Sequence, residues 1–285
     1  MLIVSLPPHI TSRYRLKQWQ VRRLAAIAPM TFSALYLFGT GFLYCLLAGL
    51  AGPIILPLIV KKWRRNFMDL AEALFTASLI ALLMPAGVDW YYPLLTGIAV
   101  SGARALLSEK DLLAPVNFIA LIFALFVLAT PDGLEPVYSW SVNSGGWAKG
   151  NFYFMTGWLP LAFSLFLSLL LTGKLYKARI PALVLLSAAA AVYAAWQMSP
   201  TINVLSYAGL QALLLLAGIL AADDHYSPLT GWGQAVYGLV AGAVFALFAL
   251  KGLLYHGLIF SALTASLFTP FLDCLFTWGY RRTKT

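Results

Sequence analysis

The sequence predicts an all-α polytopic membrane protein with ten transmembrane helices, arranged as two inverted five-helix repeats with both termini cytoplasmic. Three observations predict this class: the composition, the recurrence of apolar runs and the placement of the basic residues. Of the 285 residues, 61% are hydrophobic and 10% are charged, whereas a soluble domain carries about 25% charged residues. Apolar runs about one bilayer thick recur along the chain, as in helical membrane proteins.

The apolar runs give the ten predicted spans. The uncharged stretch 24–60 is too long for one span, because a single helix of that length would measure about 55 Å against a hydrocarbon layer of about 30 Å. Gly39-Thr40-Gly41 offers a turn inside it, so a helical hairpin is predicted there. The spans are 24–38, 42–60, 69–87, 91–107, 114–130, 154–172, 179–196, 202–222, 232–250 and 255–276.

The basic residues predict the orientation of these helices. With the N-terminus cytoplasmic, the inner segments hold 17 Lys and Arg, and the outer loops hold two, Lys149 and Lys251. This asymmetry follows the positive-inside rule and places both termini in the cytoplasm. Because the basic residues form short clusters between apolar runs, the net charge of +9 reflects membrane topology, and no nucleic-acid partner is expected.

The chain divides around its longest predicted outer loop. Two sets of five helices have opposite orientations, which is the arrangement of an inverted repeat. The predicted segments are a basic cytoplasmic segment 1–23, a first repeat 24–130, an extracytoplasmic loop 131–153, a second repeat 154–276 and a cytoplasmic tail 277–285.

Ionisable residues inside a membrane are costly and suggest function by default. Asp69, Glu72 and Thr76 are spaced to share one face of the third helix. The two carboxylates either complement the helix dipole beside the basic residues of 61–65, or belong to a polar face that lines a cofactor or ion path.

The inner loop after the eighth helix lacks a positive charge and carries Asp223, Asp224 and His225 before Ser227-Pro228. It is either a solvated acidic loop that caps the ninth helix or a site for a polar ligand or a partner subunit. Asp273, near the inner end of the tenth helix, pairs with a nearby arginine or faces its symmetry counterparts across the bundle.

Familiar catalytic motifs are missing from the sequence. It has no Walker motif, dinucleotide-binding fingerprint, zinc-helix motif or nucleophile elbow. The three histidines are isolated from one another, which argues against paired haem ligation.

The order of short motifs, from about residue 22 to residue 275, resembles a family of electron-transport proteins. Its members are the RnfD membrane component of Rnf complexes and the NqrB component of the sodium-pumping NADH:quinone oxidoreductase. The motifs are Arg22-Arg23, Ala28-Pro29, Phe38-Gly39, Asp69 to Pro85 with Thr76, Asp223 to Pro228, Tyr237-Gly238 with Gly242, and Pro270 to Asp273.

The resemblance implies a multi-pass subunit of the bacterial inner membrane that passes electrons across the bilayer within an ion-coupled complex. It implies FMN or riboflavin as cofactor, with the lipid bilayer and the other subunits of the complex as partners. Family members attach FMN to the threonine of a Ser-Gly-Ala-Thr motif. Ser144-Gly145-Gly146-Trp147 is the nearest match. Because Trp147 has no hydroxyl, a non-covalent flavin is expected. The candidate cofactor-binding residues are Asp69, Thr76, Asn117, Ser144, Asp223, Ser227, Pro228 and Asp273.

Two other functions fit the same architecture. Inverted repeats around a midplane pathway are typical of transporters, so a small-solute channel or transporter similar in architecture to urea channels is the first alternative. An assembly protein that docks partners through the loop 223–231 is the second.

Overall fold

A computed structural model describes most of the chain. The described residues are 13–59, 70–84, 89–108, 116–129, 164, 166, 177–198, 212–221, 223, 226–251 and 253–282. Within these ranges the secondary structure is helical, and no strand occurs. The predicted all-α class is confirmed for this part of the chain, whereas the number of spans and the side of each terminus stay predictions.

The helices follow the predicted apolar runs closely. Eight of the ten predicted spans coincide with a helix to within a few residues at one end or both. The sixth span lies almost wholly outside the described residues, and the described part of the eighth ends in a π-helical turn. The bounds are α1 Arg13–Phe38, α2 Thr40–Ile59, α3 Leu70–Leu83, α4 Tyr91–Ser108, α5 Phe118–Ala129, α6 Arg179–Met198, the π-turn Leu216–Leu220, α7 Gly231–Leu250 and α8 Leu254–Arg282.

The first helix begins well before its apolar span. α1 starts at Arg13, so no break separates the basic segment 1–23 from the first apolar run. Arginine, lysine and glutamine are good helix formers, which explains why the helix continues through polar sequence. In the same way α8 continues beyond residue 276 to Arg282.

The predicted turn between the first two helices is confirmed at Gly39. Its backbone has φ of +55°, a left-handed conformation that glycine adopts without a steric penalty. The Gly39 amide donates to the carbonyl of Leu35 at 2.9 Å, which is the usual way of closing a helix end. The chain therefore reverses at this glycine and α2 begins at Thr40.

Glycines allow close crossings between two pairs of helices. α2 crosses α4 where Gly49 and Gly52 meet Gly97, and any side chain at Gly52 would overlap the Gly97 backbone. α7 crosses α6 in the same manner, since a side chain at Gly242 would overlap Val184. Small residues permit close helix packing in membranes. The two crossings join the second and fourth helices of each predicted half.

The two predicted halves meet along α5 and α8, which pack against each other. Within the first half α1 packs mainly on α3, and within the second half α8 also packs on α7. A hydrophobic core runs through the described helices, with Phe42, Phe123 and Tyr237 among its largest fully buried side chains.

The outer faces of the helices are rich in large apolar side chains. Tyr36 is 87% exposed and Trp232 is 76% exposed, an arrangement that suits contact with lipid and its interfaces. In the part of the chain that the structure describes, two helical segments are long and apolar enough to cross a bilayer, Gly231–Leu250 and Leu254–Phe276. Shorter apolar helices include Thr40–Leu56, Leu70–Leu83, Phe118–Leu128 and Arg179–Ala195.

Candidate functional site

Four charged side chains from different elements form a partly buried group, called here the charged layer: Arg23, Glu72, Arg104 and Asp223. Arg23 donates to the Asp223 carboxylate at 2.6 Å. The pair is shielded from solvent, with side chains 14% and 9% exposed. The Arg23 guanidinium also lies 4.2 Å from the centre of the Phe75 ring, a cation–π geometry that favours the positive charge.

The second ion pair joins α3 and α4. Arg104 donates to Oε1 of Glu72, and Gln20 donates to Oε2 of the same carboxylate at 3.2 Å. The Glu72 side chain is 13% exposed, so it serves as an acceptor inside the bundle besides lying in the first turn of α3. The charged layer contains two positive and two negative groups, and its formal charge cancels.

Tyr226 lies among these four charges. The electrostatic fields of Arg104, Asp223, Arg23 and Glu72 all act on its phenol. Burial raises the pKa of Tyr226 to about 12, while the Arg104 guanidinium acts in the opposite direction. The phenol is therefore neutral at physiological pH. Its ring meets Phe118 edge-on at 6.4 Å between centroids.

The segment that carries Asp223 and Tyr226 is held by side chains from several helices. Thr269 donates to the Tyr226 carbonyl at 2.7 Å. Lys177 Nζ donates to the Ser227 hydroxyl at 2.8 Å and to its carbonyl at 2.9 Å. Asp273 accepts from the Leu229 amide at 2.9 Å. The described residues of the loop thus form a hydrogen-bonded junction.

α7 begins directly after this junction. Thr230 is its N-cap, and its hydroxyl accepts from the Gly233 amide at 3.1 Å, which satisfies one unpaired donor of the first turn. Gln234 Nε2 donates back to the Pro228 carbonyl at 3.2 Å. Pro228 therefore contributes through its backbone carbonyl.

Asn117 joins the two halves. Its side-chain oxygen accepts from the Ala120 amide at 3.1 Å and caps α5. Its Nδ2 lies 3.5 Å from the Leu220 carbonyl at the end of the π-turn. Its own amide donates to the Ser266 hydroxyl at 3.2 Å. π-helical turns occur often at functional sites, and Asn117 supplies a partner for the carbonyl that this turn leaves without a helical donor.

Replacing Asn117 with alanine removes both the helix cap and the Leu220 contact. We expect N117A to lower the free energy of unfolding by about 1–2 kcal/mol, the usual cost of a lost cap. N117S keeps a side-chain oxygen that can cap α5 and loses the Nδ2 contact without burying a charge, which makes it the matched control. Thermal unfolding in detergent measures both variants. If N117A and the original protein unfold alike, Asn117 has no capping role.

The structure brings together some of the sequence-predicted site residues. Asn117, Asp223, Ser227 and Asp273 lie on or beside the junction and use their side chains within the chain. Thr76 is buried on α3. Asp69 and Ser144 lie outside the described residues, as do Asp224 and His225.

Sequence reasoning missed several participants. Gln20 and Tyr226 were not named as site residues, and Arg23 was noted only as part of a motif. Arg104, at the cytoplasmic end of the predicted span 91–107, would from its position alone be a topology anchor that reaches toward solvent, yet it pairs with Glu72. The signal available in the sequence was a charged or amide side chain at the end of an apolar run. Such a side chain needs a polar partner at that depth in the membrane. Among the described residues, no group of three or more His, Cys, Asp and Glu side chains could hold a metal ion.

Comparison with known proteins identifies the family. The model of the NQR2, RnfD, RnfE family matches residues 3–107 and 153–278. The chain belongs to this family. It is also similar to a protein of Methanosarcina acetivorans that is named as the D component of an ion-translocating oxidoreductase complex. The two chains are 24% identical over 282 residues, which cover 95% of this chain and 93% of the relative.

The family match includes every member of the charged layer. Arg23, Glu72, Arg104 and Asp223 all lie within the two matched segments. The unmatched segment 108–152 contains Asn117 and the Ser144 to Trp147 sequence. The predicted resemblance to the family is confirmed over the two matched segments.

Proposed function

We propose that this chain is an integral membrane subunit of an ion-translocating electron-transport complex. The family match over residues 3–107 and 153–278 carries the proposal. The name of the Methanosarcina acetivorans relative supports it. The buried charged layer fits such a role, because charged groups inside a membrane protein are retained mainly where they serve a function.

The orientation is part of the proposal. The charged layer lies at the ends of α3 and α4 that the positive-inside rule places toward the cytoplasm. Both termini are proposed to be cytoplasmic, with ten spans in two inverted repeats in a bacterial inner membrane. The matching glycine crossings of α2 with α4 and of α6 with α7 support the repeat.

The chain is further proposed to use FMN or riboflavin held without a covalent bond. Ser144-Gly145-Gly146-Trp147 is the nearest match to the motif through which the family attaches FMN, and the indole of Trp147 has no hydroxyl to form the phosphoester. The side chains of Asn117, Asp223, Ser227 and Asp273 already have partners in the chain. Each of these four side chains could form a hydrogen bond to a flavin only by giving up its present partner. They therefore have no assigned role in electron transfer.

Docking of a partner through Asp223 receives no support. Its carboxylate is 9% exposed and paired with Arg23, so it does not present a free negative charge to another protein. The other members of the complex are proposed to bind elsewhere on the chain.

A visible absorption spectrum of the detergent-purified complex, followed by acid precipitation, tests the cofactor proposal. We expect yellow colour that passes to the supernatant, together with co-purifying redox proteins. Colour kept in the pellet would show covalent attachment at another hydroxyl, and S144A is the first variant to examine. A colourless chain that purifies without partners and moves small neutral solutes into liposomes would overturn the electron-transport proposal in favour of a channel.

A further inference from the structure

The two predicted halves touch at two kinds of place within the described residues. Along α5 and α8 the contact is a helix-to-helix packing. Away from that line, Arg23 of α1 forms an ion pair with Asp223 after the π-turn, 200 residues away in sequence, and the Phe118 ring at the start of α5 meets Tyr226 of the same junction. The Arg23–Asp223 pair is the charged part of this second contact.

Among the described helices, the main packing partners of α1 are α3 and α2, which belong to its own half. Asp223 lies outside any described helix, in the junction that follows Leu216–Leu220. The ion pair therefore joins a helix of one half to a non-helical segment of the other.

A buried ion pair differs in its energetics from an apolar contact between the same two segments. Well-packed apolar side chains of similar volume often give equal or greater stability, whereas loss of one charged partner is strongly destabilising. Such pairs are best known for fixing register or for acting as switches. The Arg23–Asp223 contact is thus suited to being either fully made or fully released.

Each half also carries a buried polar atom that has no partner in the described part of the chain: Gln20 Oε1 on α1 and the Tyr237 hydroxyl on α7. Tyr237 is fully buried and lies within the electrostatic reach of Asp223. Buried polar atoms without partners are rare in proteins. The present packing thus leaves one polar atom unsatisfied on each of these two helices.

The geometry points to a latch: the Arg23–Asp223 ion pair holds the two halves together at this end of the bundle, and it opens when they turn about the α5–α8 contact. In the closed state both charges are neutralised inside the protein. In the open state they become hydrated. The latch is a property of the chain itself and does not depend on the proposed electron transport.

Spin labels on exposed positions of the two halves test the latch in the full-length protein in lipid nanodiscs. Val21 on α1 is 55% exposed and Trp232 on α7 is 76% exposed, so V21C and W232C carry the labels after Cys45 and Cys274 are replaced by alanine. Double electron–electron resonance gives the distance distribution. We expect a main short distance and a minor longer one, since a minor conformer is typically populated at about 0.1–10%.

R23Q removes the positive partner and is expected to raise the longer-distance population at least about tenfold, as loss of a state-specific contact shifts a two-state equilibrium. R22Q is the matched control, because Arg22 is the neighbouring arginine and is exposed; its distribution is expected to equal that of the parent. D223N is expected to act like R23Q, and the charge swap R23D/D223R is expected to restore the short distance.

A single distance that stays unchanged in both R23Q and D223N overturns the latch. An equal shift in R22Q and R23Q also overturns it, because a general loss of positive charge would then be the cause. Neither result bears on cofactor content or co-purification, so failure of the latch is distinguishable from failure of the proposed function.

Discussion

Replacing Glu72 with glutamine is expected to lower the free energy of unfolding by about 3 kcal/mol, the lower end of the range for breaking a buried ion pair. The substitution removes the negative charge that neutralises Arg104 and weakens the contact with Gln20. The lower end applies because the Arg104 side chain keeps 31% exposure. Unfolding of the detergent-solubilised protein with increasing sodium dodecyl sulfate measures the change.

D89N is the matched control for this experiment. Asp89 is an exposed carboxylate on the same half, and surface substitutions usually change stability by no more than about 0.5 kcal/mol. The double variant E72Q/R104M also removes the buried positive charge, and we expect it to recover much of the loss, since apolar replacement of both partners is often tolerated. Equal stability of E72Q and D89N would show that the Glu72–Arg104 pair does not stabilise the fold.

Substituting alanine for Gly52 is expected to destabilise the protein by about 2–3 kcal/mol through overpacking. A methyl group at this position would overlap the backbone of Gly97, and a backbone cannot move aside as a flexible side chain can. α2 and α4 would have to separate, which would loosen the first half. The expected result is a lower unfolding midpoint and a lower yield of folded protein.

G41A is the matched control for G52A, because Gly41 lies on the same helix with no atom within 4 Å of an added methyl. Alanine favours a helix over glycine by about 0.8–1.0 kcal/mol, so G41A is expected to be neutral or stabilising. If G52A matches G41A, the close crossing of α2 with α4 is wrong.

Much of the helical architecture follows from the sequence. Runs of apolar residues about one bilayer long place the helices, and glycine at position 39 places the first turn, because both signals act over a few neighbouring residues. Helix ends are less well predicted. α1 begins at Arg13, eleven residues before the predicted span 24–38. Hydrophobicity predicts which residues lie in the membrane, whereas the helix extends beyond them.

Only the tertiary structure shows which groups the polar side chains contact. Asp223 and Arg23 are 200 residues apart, and Asn117 and Leu220 are 103 apart. No local pattern selects one arginine among many for a given carboxylate. The sequence marked Asp223, Ser227 and Asp273 as unusual, and the fold decided that their side chains hold the junction together.

The sequence by itself determined the helical membrane class, the first turn and the family, because these depend on composition, local spacing and ordered short motifs. The tertiary structure alone decided that Arg23 meets Asp223, that Arg104 meets Glu72 and that Tyr226 lies among them. The physical reason is that hydrophobicity and helix propensity are local, whereas neutralisation of a buried charge depends on which distant segments the packing brings within hydrogen-bond distance.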